Sequence, residues 1–328
     1  MPLPNDERIV ALADDLLRQF DEIFGLHPGF RPAHAKGLLL TGTFTPSSGG
    51  RALTKAPHIV RESSPVTVRF SNSTGLPEIP DNVPDANPRG MAIRFHLADH
   101  VHTDIVSHST DGFPTRDGQE FLGLLRAIAA SGPDVPSPKP VEQFLGSHPA
   151  ALAFVQAPKP FPSSLARENY FAVTAFAFTN GEDKTVYGRY RMVPEAGTDY
   201  LNSEQVAALA PNYHYEELAA RVTQQPIRFR ILVQLAQSGD TVDDATIHWP
   251  ESREVVEFGT VELTAILPET DPEQKRIIFD PIPRVEGIEP SADPLLELRA
   301  AIYLLSGRRR RAASASQAQA AAAVASPS

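Results

Sequence analysis

The chain has no cysteine, which excludes a disulfide framework, a thiolate nucleophile, a zinc ribbon and an iron–sulfur cluster. Any metal must be held by histidine, tyrosine or carboxylate. No apolar run approaches the roughly 20 residues that span a bilayer, and the acidic start MPLPNDERIVALADDLL lacks the basic flank of a secretory segment. No membrane association is expected, and the expected compartment is cytoplasmic. An excess of positive charge is also missing. Lys and Arg number 30 against 40 Asp and Glu, a net charge of −10, so nucleic acid is not an expected partner. What remains is a globular composition, 41% hydrophobic and 21% charged, on a chain long enough for one large domain or two smaller ones.

Apolar residues at Ile9, Leu12, Leu16, Phe20 and Ile23 follow the helical period, with Asn5 or Asp6 as N-cap. Strand-like stretches recur at 37–45, 66–72, 90–97, 103–108, 171–179, 185–193, 226–236 and 255–266. Turns rather than regular crossover helices separate them, which predicts an antiparallel barrel or a strongly curled sheet. Helical patterns fall at 117–131, 140–156, 203–222 and 293–305, the last with Asp293 as N-cap and Pro294 as first helical residue. The Ala/Ser-rich stretch 312–328 has no bulky apolar face and reads as a disordered or frayed tail. No internal repeat is visible.

Arg299 and Tyr303 lie four residues apart in ADPLLELRAAIYLLSG, which puts a guanidinium beside a phenol on one helix face. A permanent cation beside a phenol favours its ionised form, and a phenolate is a hard anionic ligand for ferric iron. The alternative is an arginine snorkelling over a core tyrosine.

Further strings give this pair a context. RPAHAKG at 31–37, VRFS at 68–71, NPRGMAIRF at 87–95 and FDPIPRVEGIEPSADPLLELRAAIY at 279–303, in this order, resemble the haem-containing catalase family. ARENYFAVTAF and IHWPESREVVEFGTVEL add to the resemblance, which runs from about residue 25 to 311. It implies an α+β fold, an eight-stranded antiparallel β-barrel with added helices and haem b (iron) alongside. The expected division is an N-terminal helix at 1–24, a haem domain at 25–311 and the tail. The chain looks most like the compact catalase-related peroxidases, without the C-terminal flavodoxin-like domain of larger relatives.

Position by position, the resemblance gives His34 the role of distal acid and base, and Ser71 that of orienting its imidazole. Tyr303 becomes the proximal iron ligand and Arg299 the cation that keeps it ionised. Arg31, Arg69 and Arg310 become partners of the haem propionates, and Phe113 and Phe121 neighbours of the haem on its distal side. The bland readings are a capping histidine, a strand serine, a solvated basic run at 308–311 and core aromatics.

Three departures sit on the peroxide side. His108 stands where catalases carry an asparagine, Ser73 replaces a channel valine, and Asn87 replaces a channel aspartate. The resemblance therefore implies a peroxidase that reduces hydrogen or organic peroxides through a ferryl intermediate, with catalase activity weak or absent. Its partners are a peroxide and an unidentified small-molecule electron donor, with a homo-oligomer left open. A true catalase is one alternative. A lipid hydroperoxide-converting enzyme is another, disfavoured because Ala33 stands where those relatives carry threonine. A haem-storage protein would not need His34 and Ser71. A zinc site at His96, His100, His102 and His108 lacks a zinc motif.

Overall fold

The computed structural model describes residues 2–325, with side chains as far as residue 313. Its centre is a closed antiparallel barrel of eight strands. These are β1 (Gly37–Pro46), β2 (Ser64–Ser71), β3 (Gly90–Ala98), β4 (Val101–His108), β5 (Tyr170–Phe171), β6 (Thr185–Pro194), β7 (Ile227–Leu235) and β8 (Val255–Ile266). Around the ring, β8 pairs with β1, and β1 to β4 follow in sequence. The two-residue β5 then bridges β4 to β6, and pairing of β6 with β7 completes the circuit back to β8. Closure leaves no free ladder edge within the ring.

The barrel is filled by one face of each strand. Phe44, Val68, Phe70, Ile93, Phe95, Phe229, Ile231, Phe258 and Val261 share a single core, following a period of two except in β8, where a bulge at Phe258 shifts the register and lets both Phe258 and Val261 face inward. The expected strand at 171–179 is split. Phe171 belongs to the ring, whereas Phe176–Thr179 forms an outer hairpin with β6 and also pairs with Ile288–Pro290.

Helices pack beside the barrel. They include α1 (Glu7–Phe24), α2 (Gly118–Ala129), α3 (Pro140–Ser147), α4 (Pro149–Gln156), α5 (Tyr213–Gln224) and α6 (Pro294–Ala325). Asp6 caps α1, accepting from the Arg8 N–H at 2.9 Å, and Asp293 caps α6, accepting from the Leu295 N–H at 2.9 Å. A second core joins α1, α2 and α6 through Ala13, Leu16, Leu122, Leu125, Leu298 and Ala301.

Three helix boundaries differ from the sequence reading. The expected helix 140–156 breaks at His148, whose φ of −127° and ψ of 83° are non-helical, because a residue preceding proline is pushed out of the helical region. The expected helix 203–222 becomes Ser203–Ala207 and α5, with Pro211 between them. The last helix does not stop at 305 but continues to Ala325. Alanine and arginine are good helix formers, and no proline interrupts the stretch. Gly307 is retained within the helix at a position where a Cβ would strike Ile278. The remainder of the expected tail, 326–328, lies outside the described residues. Among the described residues no helix is long and apolar enough to cross a membrane.

Candidate active site

Three segments distant in sequence meet at one end of the barrel. The chain enters β1 through His34, leaves β2 at Ser71 and enters β3 at Gly90. His34 has φ 56°, a left-handed conformation uncommon for a residue with a side chain. Neighbouring backbone bonds hold it there, from the His34 N–H to Ser73 O at 3.0 Å and from the Ala35 N–H to Thr74 O at 2.9 Å. This conformation brings the ring Nδ1 within 3.1 Å of Ser71 Oγ. Gly90 makes room for the pair, since a Cβ there would strike both Ser71 Oγ and His34 Nδ1.

Burial, reinforced by the charges of Arg69, His108, Arg31 and Arg299, lowers the His34 pKa to about 3. The imidazole is therefore neutral near pH 7. His108 ends β4 as the register partner of Gly90, and its Nδ1 accepts from the Thr110 N–H at 3.3 Å. Burial and then Arg299 and Lys159 lower its pKa to about 4. Ser73 enters through its backbone, whose N–H donates to Ala86 O at 3.1 Å. Asn87 donates from Nδ2 to Lys159 O at 3.3 Å.

Behind these groups lies a buried polar hub that sequence reasoning missed. The Asp81 carboxylate accepts from Lys36 Nζ at 2.8 Å, from Asn72 Nδ2 at 2.8 Å and from the His214 N–H at 3.1 Å. Arg89, fully buried, donates to Asn72 Oδ1 at 2.7 Å and to Asp81 O at 2.6 Å. Lys36, Asn72 and Arg89 lie within two residues of His34, Ser71 and Gly90 respectively, so the hub ties the three segments together. Lys36 and Arg89 were visible inside HAKG and NPRG, but nothing near Asp81 marked it as their common partner.

A second group consists of arginines. Arg69 donates from Nη2 to His34 O at 3.0 Å and Ala35 O at 3.2 Å, and its buried Nε has no partner among the described residues. Arg31 and Arg310 both donate to Ile277 O, at 3.0 and 2.9 Å. Arg310 also reaches Lys275 O at 3.0 Å and Ser306 Oγ at 3.1 Å. Burial lowers the pKa of Arg69 to about 10. Burial together with Arg69 lowers that of Arg310 to about 9. Arg31 is lowered well below its ordinary value by burial and then by Arg69 and Arg310. The run at 308–311 is thus not uniformly solvated: Arg310 turns inward and Arg308 outward, while Arg309 pairs with Asp21.

Arg299 and Tyr303 share one turn of α6. The guanidinium Nη2 donates to the phenol oxygen at 3.4 Å, and its carbon lies 5.8 Å from the ring centroid. Arg299 acts electrostatically on both His34 and His108, and Tyr303 favours the charge on Arg31. The helix pair and the barrel-end histidines therefore lie within electrostatic reach of each other. Phe113 and Phe121 touch, with ring centroids 5.1 Å apart. Phe113 packs on Val173, Ala245 and Leu295, and Phe121 on the α1–α2–α6 core.

The zinc reading finds no cluster. His96 and His102 are register partners, but His100 is exposed in the turn between β3 and β4, and His108 lies at the far end of β4. Among the described residues no three histidine or carboxylate groups come together to hold a metal ion.

Residues 29–325 match the family model described as Catalase. A catalase-related peroxidase of Mycolicibacterium paratuberculosis is 34% identical over 291 residues, covering 87% of this chain and 90% of the relative. Its namesake from Synechococcus elongatus is 32% identical over 304 residues, covering 90% and 88%. Catalase A from Saccharomyces cerevisiae superposes with a TM-score of 0.75 at 20% identity, over 94% of this chain and 65% of that one, which supports the shared fold. The chain belongs to the catalase family, and with it to the oxidoreductases that act on a peroxide.

Proposed function

We propose that the protein is a haem b-dependent peroxidase that reduces hydrogen peroxide or organic peroxides at the expense of a small-molecule donor, with catalase activity weak or absent. Its site is cytoplasmic on this reading. The observation that carries it is the neutral, partly buried His34 bonded to Ser71, within electrostatic reach of the Arg299–Tyr303 pair. The donor set fits a haem. Two buried arginines, Arg69 and Arg310, with the part-buried Arg31 repelled by both, favour a dianionic group among them, and Arg69 Nε offers a donor with no acceptor among the described residues.

Tyr303 would hold the iron, and Arg31, Arg69 and Arg310 the propionates. When bound, the haem supplies the iron at which the O–O bond is split and stores the oxidising equivalents until a donor arrives. The remaining work belongs to the chain. Ser71 beside Nδ1 fixes the tautomer of His34, so that Nε2 accepts the proton of the peroxide and delivers it to the leaving oxygen. A pKa of about 3 keeps that nitrogen free to accept at neutral pH. Arg299 sets a cation beside the ligand oxygen. His108, register partner of Gly90, stands in place of the family's peroxide-orienting asparagine, so a second hydrogen peroxide is held less well and the oxidised site is left to an organic donor.

The test is an absorption spectrum of the haem-loaded protein beside that of Tyr303→Phe, followed by peroxide-driven dye oxidation and oxygen release. Dye oxidation with little oxygen is expected. Oxygen evolution at rates typical of catalases would overturn the peroxidase assignment, and an unchanged Tyr303→Phe spectrum would remove Tyr303 as ligand.

A further inference from the structure

Tyr170, Tyr200, Tyr213 and Tyr215, four of the chain's seven tyrosines, gather beside the Asp81 hub. Contacts lead from the active site outward through them. Asn72, which follows Ser71, accepts at Oδ1 from the Tyr215 hydroxyl at 3.4 Å, and Tyr215 also lies within electrostatic reach of Arg69. Tyr213 stands on the same first turn of α5, and its hydroxyl donates to Pro162 O at 3.0 Å. Pro162 is the register partner of Tyr200 in the small ladder of Phe161–Pro162 with Tyr200–Leu201. Tyr170, fully buried, lies within electrostatic reach of both Tyr215 and Tyr200.

The row ends at the surface. Tyr200 is 41% exposed, and its hydroxyl donates to Glu168 Oε1 at 2.8 Å. Glu168 is only 4% exposed, an unusual setting for a carboxylate. That phenol and the Asn169 N–H, at 2.8 Å, hold it, with Arg89 and Tyr170 acting on it electrostatically.

We propose that Tyr200 is a second, surface oxidation site: it passes an electron inward along the tyrosine row to the oxidised active site, gives its proton to Glu168, and then oxidises donors too bulky to enter the barrel end. The inference rests on the haem reading above. A phenol loses an electron readily only where its proton has somewhere to go, because the oxidised phenol is a strong acid. Glu168 Oε1 is that place. Burial, the largest influence on it, raises its pKa to about 7, so the ionised form is a stronger base than an exposed carboxylate. The aromatic rings between Tyr200 and Asn72 divide one long electron transfer into short ones.

The step balances as Tyr200–OH + Glu168–COO⁻ → Tyr200–O• + Glu168–COOH + e⁻, the electron going to the active site. A donor DH then returns a hydrogen atom, giving Tyr200–OH and D•, and Glu168 releases to solvent the proton that peroxide reduction consumes. Two such rounds give ROOH + 2 DH → ROH + H2O + 2 D•.

The experiment uses the haem-loaded full chain with two donors, hydroquinone and phenols tied to dextran, which are too bulky to enter. Tyr200→Phe should cut oxidation of the dextran phenols at least tenfold, with hydroquinone used as before and the spectral change on adding peroxide as fast as before. Glu168→Gln keeps an oxygen for the phenol but is no base, and should cut it at least threefold. A nitroso spin trap added with peroxide and no donor should mark Tyr200 in the mass spectrum, and not Tyr187, which is 37% exposed. A trap adduct on Tyr187 in place of Tyr200, or parental use of the dextran phenols by Tyr200→Phe, would overturn the surface site while leaving the peroxidase reading standing. Parental behaviour of Glu168→Gln would overturn the proton step. A wild-type chain that takes up haem without any peroxide-driven spectral change would overturn both the surface site and the peroxidase reading.

Discussion

The two halves of the site are built by different means. The tyrosine side comes from one turn of one helix, in which a spacing of four residues suffices to bring Arg299 to Tyr303. The histidine side needs His34 in a left-handed conformation, Ser71 from the next strand, a glycine from a third, and the Asp81 hub behind them. A helix delivers its pair through its own periodicity, whereas the barrel end must be assembled from distant segments and held against the strain at His34. Substitutions on the helix should therefore change chemistry with little loss of stability. Substitutions behind the histidine should change both.

The largest effect is expected at Tyr303→Phe. Peroxidase activity should fall to background and the spectrum should change, with the unfolding midpoint in urea of the haem-free protein nearly unmoved. A marked stability loss there would erase the contrast between the halves. His34→Ala comes next. General acid–base catalysis contributes about 10²–10⁴-fold, so the rate of the peroxide-driven spectral change should fall within that range while haem is retained. Equal rates for variant and parent would remove His34 from the proton path.

Asp81→Ala attacks the support and not the chemistry. It strands Lys36, whose side chain is only 12% exposed, with no carboxylate. Breaking a buried ion pair costs about 3–5 kcal/mol, and urea titration of the haem-free chain reads this directly. Asp81→Asn, whose single amide oxygen can still accept from Asn72 but whose NH2 then faces the His214 N–H, should recover only a small part of it. If Asp81→Ala costs no more than an exposed-pair variant such as Lys184→Ala, the hub is not what holds the three segments.

The same division explains what could be read from the sequence. Arg299–Tyr303 was visible because both partners lie on one helix. The eight strands were visible because alternation is a local property, although from the stretch 171–179 the ring keeps only Phe171, together with Tyr170 just before it. Local rules also account for the helix breaks at Pro149 and Pro211, where proline outweighs an apolar pattern that continues through it. The Asp81 hub depends on contacts with partners up to 133 residues away, and no spacing encodes such contacts. The left-handed backbone of His34 was equally hidden, since it is imposed by bonds to Ser73 and Thr74 and not by its own residue type.

The smallest effect concerns acid and separates the barrel from the helix, since no histidine lies in α6. His58 is buried among Phe44, Phe95 and Phe258, its Nδ1 has no partner among the described residues, and burial lowers its pKa from 6.5 to about 3. Between these values the unfolded chain binds a proton that the folded chain refuses. Stability from this group is full above about pH 6.5 and falls as pH drops towards 3, by up to about 1.4 kcal/mol per pH unit. His34 and His108 act with the same sign. Glu168, raised to about 7, and Asp293, raised to about 6, act with the opposite sign: each holds a proton in the folded state, adding stability in acid that is lost as pH rises through those values. The total slope is therefore a sum, and His58→Phe isolates one contribution to it. Measured by urea unfolding at pH 6.5 and pH 5, the variant should lose about 2 kcal/mol less than its parent over this interval. Parallel losses would mean that the folded barrel accommodates a charged imidazole among three phenylalanines, and the acid sensitivity would then have to arise at the other histidines that burial holds neutral, His34, His108 and His214 foremost, with His96 and His102.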